Sequence, residues 1–218
     1  MKTSFKMLAA TLLAAASIHS YAAAETVLRL DEVAVGELDP AKASDYADSI
    51  LMYNLYDTLV IPKAGQPGFD PLLAASWETD GKTFTFKLRP DVKFQSGNPV
   101  TADDVVFSYQ RMMALGQGLS YLFAIVDKAE AIDAATVKFT LKEVSAPFVS
   151  SLTRLPIVDK KLVSENLAAG DGDMKDWGQA YLSAHAAGTG AYKVVSHNPQ
   201  EETVMAKNAD YFLKVPAK

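Results

Sequence analysis

Residues 80–112 read DGKTFTFKLRPDVKFQSGNPVTADDVVFSYQRM, and their hydrophobic period changes midway from two to about three and a half. Phe84, Phe86 and Leu88 alternate with Thr83, Thr85 and Lys87, the pattern of a strand with one buried face. Asp80-Gly81 is a turn pair behind the strand-like run that holds Trp77, so a hairpin is expected. Val92 and Phe94 resume the alternation after Arg89-Pro90-Asp91, and QSGNP turns the chain again. Thr101 then opens a helix, with Asp104 at the capping-box position. Ala102, Val105, Val106, Tyr109, Met112 and Met113 follow at helical spacing. A hairpin leading into an amphipathic helix can bury one compact core around its aromatic rings, and it carries no nucleophile beside a base.

The rest of the chain has the same mixed character. Thr26–Leu30 reads as a first strand, VAVGELDPAKAS as a loop with Ser44 as a cap, and Asp45–Leu59 as a helix. PKAGQPGFD reads as a surface loop. A second hairpin joins Lys128–Ile132 to Val137–Leu141, and Pro147 starts a short helix with Phe148 and Leu152 inward. LPIVDKKLVSEN is extended and then helical for a turn, and Trp177–His185 reads as a helix. GTGAY turns into Tyr192–Ser196, which should pair with Thr203–Lys207. Hairpins interleaved with helices indicate an α/β or α+β fold.

The N-terminus has the marks of a secretory signal over residues 1–24. Lys2 and Lys6 precede the apolar run Met7–Ile18, and Ala22-Ala23-Ala24 stand before Glu25. That run is shorter than the roughly 20 residues a bilayer span requires. Cleavage removes two of the 21 basic residues and none of the 26 acidic ones, leaving a net charge of −7. Such a surface disfavours nucleic acid and anionic lipid as partners. With no cysteine, the exported product has neither disulfides nor a thiol for lipid attachment. A soluble protein retained in a periplasm, with residues 25–218 as its folded part, is expected.

Catalytic and metal patterns are missing. His185 and His197 stand alone, and no G-x-S-x-G occurs. Asp103 and Asp104 are neighbours on a helix and do not face each other; at its N-terminus they favour the macrodipole. GDGDMKD fails as a calcium loop because the twelfth position counted from Asp171 is Leu182 rather than a Glu. GTG at 188–190 precedes a strand, so it is no phosphate cradle. Arg111 reads as a structural, helix-terminal cation. No catalytic residue, metal site or cofactor is expected, and binding without catalysis is the reading that remains. Tyr53, Tyr56, Tyr109 and Tyr121 fall near loop or helix ends, where both core packing and ligand contact are open.

The segment LLAASWETDGKTFTFKLRPDVKFQSGNPVTADDVVFSYQR, residues 72–111, closely resembles the signature region of the family 5 extracellular solute-binding proteins. Its marks include Trp77, Asp80-Gly81-Lys82, Phe84, Phe86, Leu88-Arg89, Val92-Lys93-Phe94, Gly97, Pro99, Thr101-Ala102, Asp104-Val105 and Phe107-Ser108. ELDP at 37–40, NLYDTL at 54–59, PIVDKKLV at 156–163, GTGAYKV at 188–194 and NADYF at 208–212 resemble further family stretches, with Ala191 where proline is usual. The resemblance implies a type II periplasmic-binding-protein-like lobe with a mixed sheet and added hairpins and helices. It also implies a monomeric periplasmic receptor that captures a peptide or similar small solute for an ABC permease. Family members are at least twice this length and have two lobes. Residues 25–218 are therefore expected to be the N-terminal lobe, with the second lobe beyond Lys218 missing. The alternative is a truncated product or fragment with only a folding or interaction role. By the same resemblance, Ala34, Val35, Gly36 and Glu37 line the cleft and meet peptide backbone, and Tyr121 approaches the ligand. Oligopeptide, dipeptide and nickel complex all remain open as ligands.

Overall fold

The structure, a computed structural model, describes residues 36–199 and 201–214. The expected signal segment, the strand Thr26–Leu30, and Ala34 and Val35 lie outside the described residues. Helix α1 spans Tyr46–Leu55, and strands β1, Val60–Pro62, and β2, Phe69–Pro71, form a small hairpin. β3, Ala74–Thr79, and β4, Thr83–Leu88, follow, then α2, Ala102–Leu115, and a 3-10 turn at Ser120–Phe123. β5, Val126–Asp133, and β6, Thr136–Leu141, complete a four-stranded sheet of order β3-β4-β6-β5. The short helices α3, Phe148–Leu152, α4, Lys160–Ser164, and α5, Gln179–Leu182, precede the hairpin of β7, Tyr192–Asn198, and β8, Glu202–Lys207. Among the described residues every strand pairing is antiparallel, so the parallel part of the expected mixed sheet is not among them.

The alternation in β4 does what its spacing predicts. Phe84, Phe86 and Leu88 are buried while the residues between them are partly exposed. Register sets Trp77 opposite Phe86 and Phe84 opposite Phe139. The Phe148 ring closes this face, 4.9 Å from Phe84 and 5.6 Å from Phe139. α2 covers the sheet with Ala102, Val105 and Met112. Thr101 and Asp104 form the expected capping box, and Gly116 ends the helix in the left-handed conformation. A second core lies around α1, where Leu51, Met52, Leu55 and Tyr56 meet Leu38, Phe107, Val158 and Leu182.

Four expectations need correction. The helix read over Asp45–Leu59 stops at Leu55, because Tyr56 is extended and Leu59 already pairs with the sheet region. The leucines at 51, 55 and 59 share a spacing but not an element; Leu59 is buried through the hydrogen bonds its carbonyl accepts from Leu72 and Ala74. Asp45, not Ser44, is the cap of α1. The PKAGQPGFD stretch is not all loop: Pro62 ends β1, and Phe69 and Asp70 begin β2 of the hairpin. The helix expected at Trp177–His185 is only α5, since Trp177 itself has φ +55 and cannot continue a right-handed turn.

Candidate functional site

An apolar cavity of about 230 Å³ opens among the described residues. Its walls come from stretches far apart in the chain. α1 supplies Ser49, Met52 and Tyr53, and the segment after it supplies Tyr56, Asp57 and Thr58. Pro40, Ala43 and Ser44, Ile61 and Pro62, Thr153 and Arg154, and Tyr211 and Leu213 complete most of it.

The wall at Pro40–Ser44 is held by three buried polar anchors. Asp39, fully buried, takes a bidentate pair from Arg111 of α2 at 2.6 and 2.7 Å and accepts the Ala41 amide at 3.0 Å. Arg111 is 1% exposed, and its Nε donates to the Trp177 carbonyl at 2.6 Å. Asp48 of α1 accepts the amides of Glu37, Ser44 and Asp45. The Tyr56 hydroxyl donates to the Leu38 carbonyl at 3.0 Å and accepts the Ala187 amide at 3.3 Å. Burial pushes that phenol well above its ordinary range.

The site end of α1 is tied down in a similar way. The Asp57 carboxylate accepts hydrogen bonds from Thr189 Oγ1 at 2.6 Å and Tyr211 at 2.8 Å, while its carbonyl takes the Ile157 amide. Burial raises the Asp57 carboxyl above its ordinary value, and the two hydroxyl donors oppose that rise. Both carboxylate oxygens are thus engaged within the protein. The Tyr211 phenol is also raised, first by burial and then by the Asp57 charge. At the rim, Arg154 lies with its guanidinium 5.7 Å from the Tyr53 ring centre, a cation–π contact, and donates to Ser49 Oγ at 3.4 Å.

Of the residues expected to meet ligand, Gly36 and Glu37 lead into the Pro40–Ser44 wall, and the Glu37 amide is fixed by Asp48. Tyr121 is 67% exposed on the 3-10 turn and does not line the cavity, although Leu119 of the same segment does. That segment lies against the wall at Gly118, where φ is +53 and a Cβ would sit 2.8 Å from the Ala41 carbonyl oxygen. The structure therefore brings the Tyr121 segment beside the loop that follows Glu37. Sequence reasoning missed Arg111 as a buried group, and it missed Arg154, Asp57 and Tyr211 entirely. A signal for the first exists: Asp104, Ser108 and Arg111 form a polar stripe at helical spacing, and all three are buried. Asp104 accepts from Thr101 and Lys160, and Ser108 accepts from Val158. Among the described residues no group of His, Cys, Asp and Glu is placed to hold a metal, and no helix is long and apolar enough to cross a membrane.

The described unit superposes on part of the fold of solved type II periplasmic binding proteins, as a single lobe would. Residues 68–218 match the family described as bacterial extracellular solute-binding proteins, family 5, middle region. The chain belongs to that family, which is one of binding proteins rather than enzymes. It is 31% identical over 215 residues to the probable D,D-dipeptide-binding periplasmic protein DdpA of Escherichia coli, covering 92% of this chain and 40% of the relative. Among solved structures, it superposes with TM-score 0.70 on the periplasmic binding protein DppA of Helicobacter pylori, in complex with peptide STSA. That match has 30% identity over 83% of this chain and 39% of the other. The fold is shared also with NikZ of Campylobacter jejuni in complex with Ni(L-His), at TM-score 0.71 and 24% identity, over 84% of this chain and 35% of the other. The chain spans about two fifths of the length of DdpA and of a di/tripeptide-binding protein of Pseudomonas aeruginosa, and less of other curated relatives it matches.

Proposed function

We propose that this chain is the substrate-binding component of an ABC importer, capturing a peptide or similar small solute and presenting it to a membrane permease. The observation that carries the reading is the apolar cavity whose wall at Pro40–Ser44 is fixed to α2 and α1 by buried polar bonds. Such preorganisation suits capture, because the loop needs little further ordering when the solute arrives. Two relatives, a probable D,D-dipeptide-binding protein and a di/tripeptide-binding protein, favour peptides as the solute class. Ala34, Val35, Gly36 and Glu37 are proposed to meet the ligand backbone, and Tyr121 to approach it from the neighbouring segment. Backbone pairing of an extended peptide is indifferent to its side chains and suits broad specificity. Residues 1–24 are proposed as a cleaved signal that delivers residues 25–218, the N-terminal lobe, to the periplasm as a monomer. Thermal unfolding of the chain with a panel of di- to pentapeptides tests the reading, with sugars and nickel salts as controls. Peptides should raise the melting temperature in proportion to affinity and concentration. A midpoint unmoved by every peptide overturns it.

A further inference from the structure

We propose that Arg154 is the anchor for a carboxylate on the captured solute, whose apolar body fills the adjoining cavity. This rests on the reading of the cavity as the capture site and names the chemistry of its ligand. Of the three described arginines, Arg111 is paired with Asp39 and Arg89 lies 3.4 Å from Asp91. Arg154 has no carboxylate within ion-pair distance among the described residues, and it stands exposed at the cavity rim. In a chain of net charge −5, a guanidinium left unpaired beside an apolar cavity is a point of attraction for an anion.

The geometry around it favours this use. The Tyr53 ring, 58% exposed, supports the guanidinium through its π face. A guanidinium held by its face keeps its N–H edge free to grip a carboxylate with two bonds. Its hydrogen bond to Ser49 Oγ, the one it makes among the described residues, is long at 3.4 Å and little is lost in releasing it. The nearby hydroxyls offer no competing charge: Ser49 donates to the Asp45 carbonyl and Thr153 to the Ser150 carbonyl. Asp57, the acid lining the cavity, is buried with both oxygens engaged. Met52, Ile61, Pro62, Leu72 and Leu213 give the rest of the wall an apolar character. A volume of about 230 Å³ is below the roughly 300–1,000 Å³ of a whole small-molecule site, so this wall takes one or two residues of a ligand. An apolar residue ending in a free carboxylate fits both features.

Titration calorimetry of the full chain with L-alanyl-L-leucine and with the same dipeptide as its C-terminal amide tests the assignment. The acid should bind roughly ten- to a hundredfold more tightly than the amide, the range of one or two charge-assisted hydrogen bonds. Arg154→Gln should bring the acid down to the level of the amide. Arg154→Lys, which keeps the charge without the fork, should fall between them. Equal binding of acid and amide by the wild type, or a preference for the acid that survives Arg154→Gln, overturns the carboxylate anchor. Ile61→Trp, at a half-exposed wall position, reports on the cavity separately. If it leaves dipeptide binding unchanged, the cavity is not the capture site. If it abolishes binding of both ligands while acid and amide remain equal in the wild type, the cavity reading stands and only the anchor fails. Failure of the wild-type chain to bind either dipeptide overturns both.

Discussion

Replacing Arg111 with methionine is the sharpest perturbation of the positioning network. The side chain keeps much of its length, so the change isolates the guanidinium. Among the described residues Asp39 would stay fully buried with one remaining partner for its carboxylate, the Ala41 amide, and the Trp177 carbonyl would lose the Arg111 donor. Breaking a buried pair by removing one member costs about 3–5 kcal/mol, because the orphaned charge is left out of water. For a domain of this size each kcal/mol lowers the melting temperature by about 2–4 °C, so a fall of about 6–20 °C is expected. Thermal unfolding followed by far-ultraviolet circular dichroism measures it. The near-ultraviolet signal should weaken as well, since Trp177 is stacked on Phe107 at 6.0 Å and loses its carbonyl anchor. Combining Arg111→Met with Asp39→Leu should restore much of the lost stability, because two apolar groups do not carry the desolvation cost of a single charge. A fall below about 3 °C for Arg111→Met, or a double variant whose loss equals the sum of the single losses, would refute the reasoning.

Three further outcomes follow from the same structure. Gly188→Ala should destabilise by about 1–3 kcal/mol in urea titration, because the new Cβ would overlap the Leu55 carbonyl and the Tyr56 ring. Asp104→Ala should cost a similar amount, about 1–3 kcal/mol in the same titration, since Thr101 and Lys160 lose a buried acceptor and α2 loses its capping box. Burial raises the Asp57 carboxyl above its ordinary 3.8, so the folded chain holds that proton more tightly than the unfolded one. Its contribution to stability is then fully present below the ordinary value and is lost as the pH rises through the raised one. The stability of the wild type relative to Asp57→Asn should therefore decline as the pH rises from the ordinary carboxylate value of 3.8, read from melting temperatures across a pH series; a relative gain with rising pH would contradict the cause given.

The parts of the fold legible in the sequence are those whose signals are local. Alternation in Phe84–Leu88 and the Thr101–Asp104 box sit within a few residues of what they determine, and both appear as read. The end of α1 was hidden because Leu59 is apolar for a different reason than Leu55; one packs from a helix and the other joins the sheet region. The site was less legible because its walls are brought together only by tertiary contact. Arg154 meets α1 across 105 positions of sequence, and Tyr211 reaches Asp57 across 154. A lone arginine in LTRL and a tyrosine in NADYF carry no local mark of that meeting. Arg111 was partly legible: its place on the stripe with Asp104 and Ser108 marks a buried polar face, which reading it as a helix-terminal cation passes over.

That stripe gives α2 two separate tasks. Ala102, Val105 and Met112 fasten it to the sheet, an attachment that any apolar residues of similar volume could make. Asp104, Ser108 and Arg111 hold the Lys160 amide, the Val158 amide and Asp39, each through bonds of fixed direction. Buried polar bonds of this kind add little net stability over an apolar replacement, but each has a preferred angle and length. Their contribution is therefore one of position: they set where Pro40, Ala43 and Pro156 stand along the cavity wall. The Asp39 and Arg111 double variant separates the two tasks. It should regain melting temperature while binding peptide more weakly than the wild type, because apolar contacts can refill the space without restoring the angle of the Pro40–Ser44 wall. A double variant with wild-type affinity would mean that packing alone places that wall.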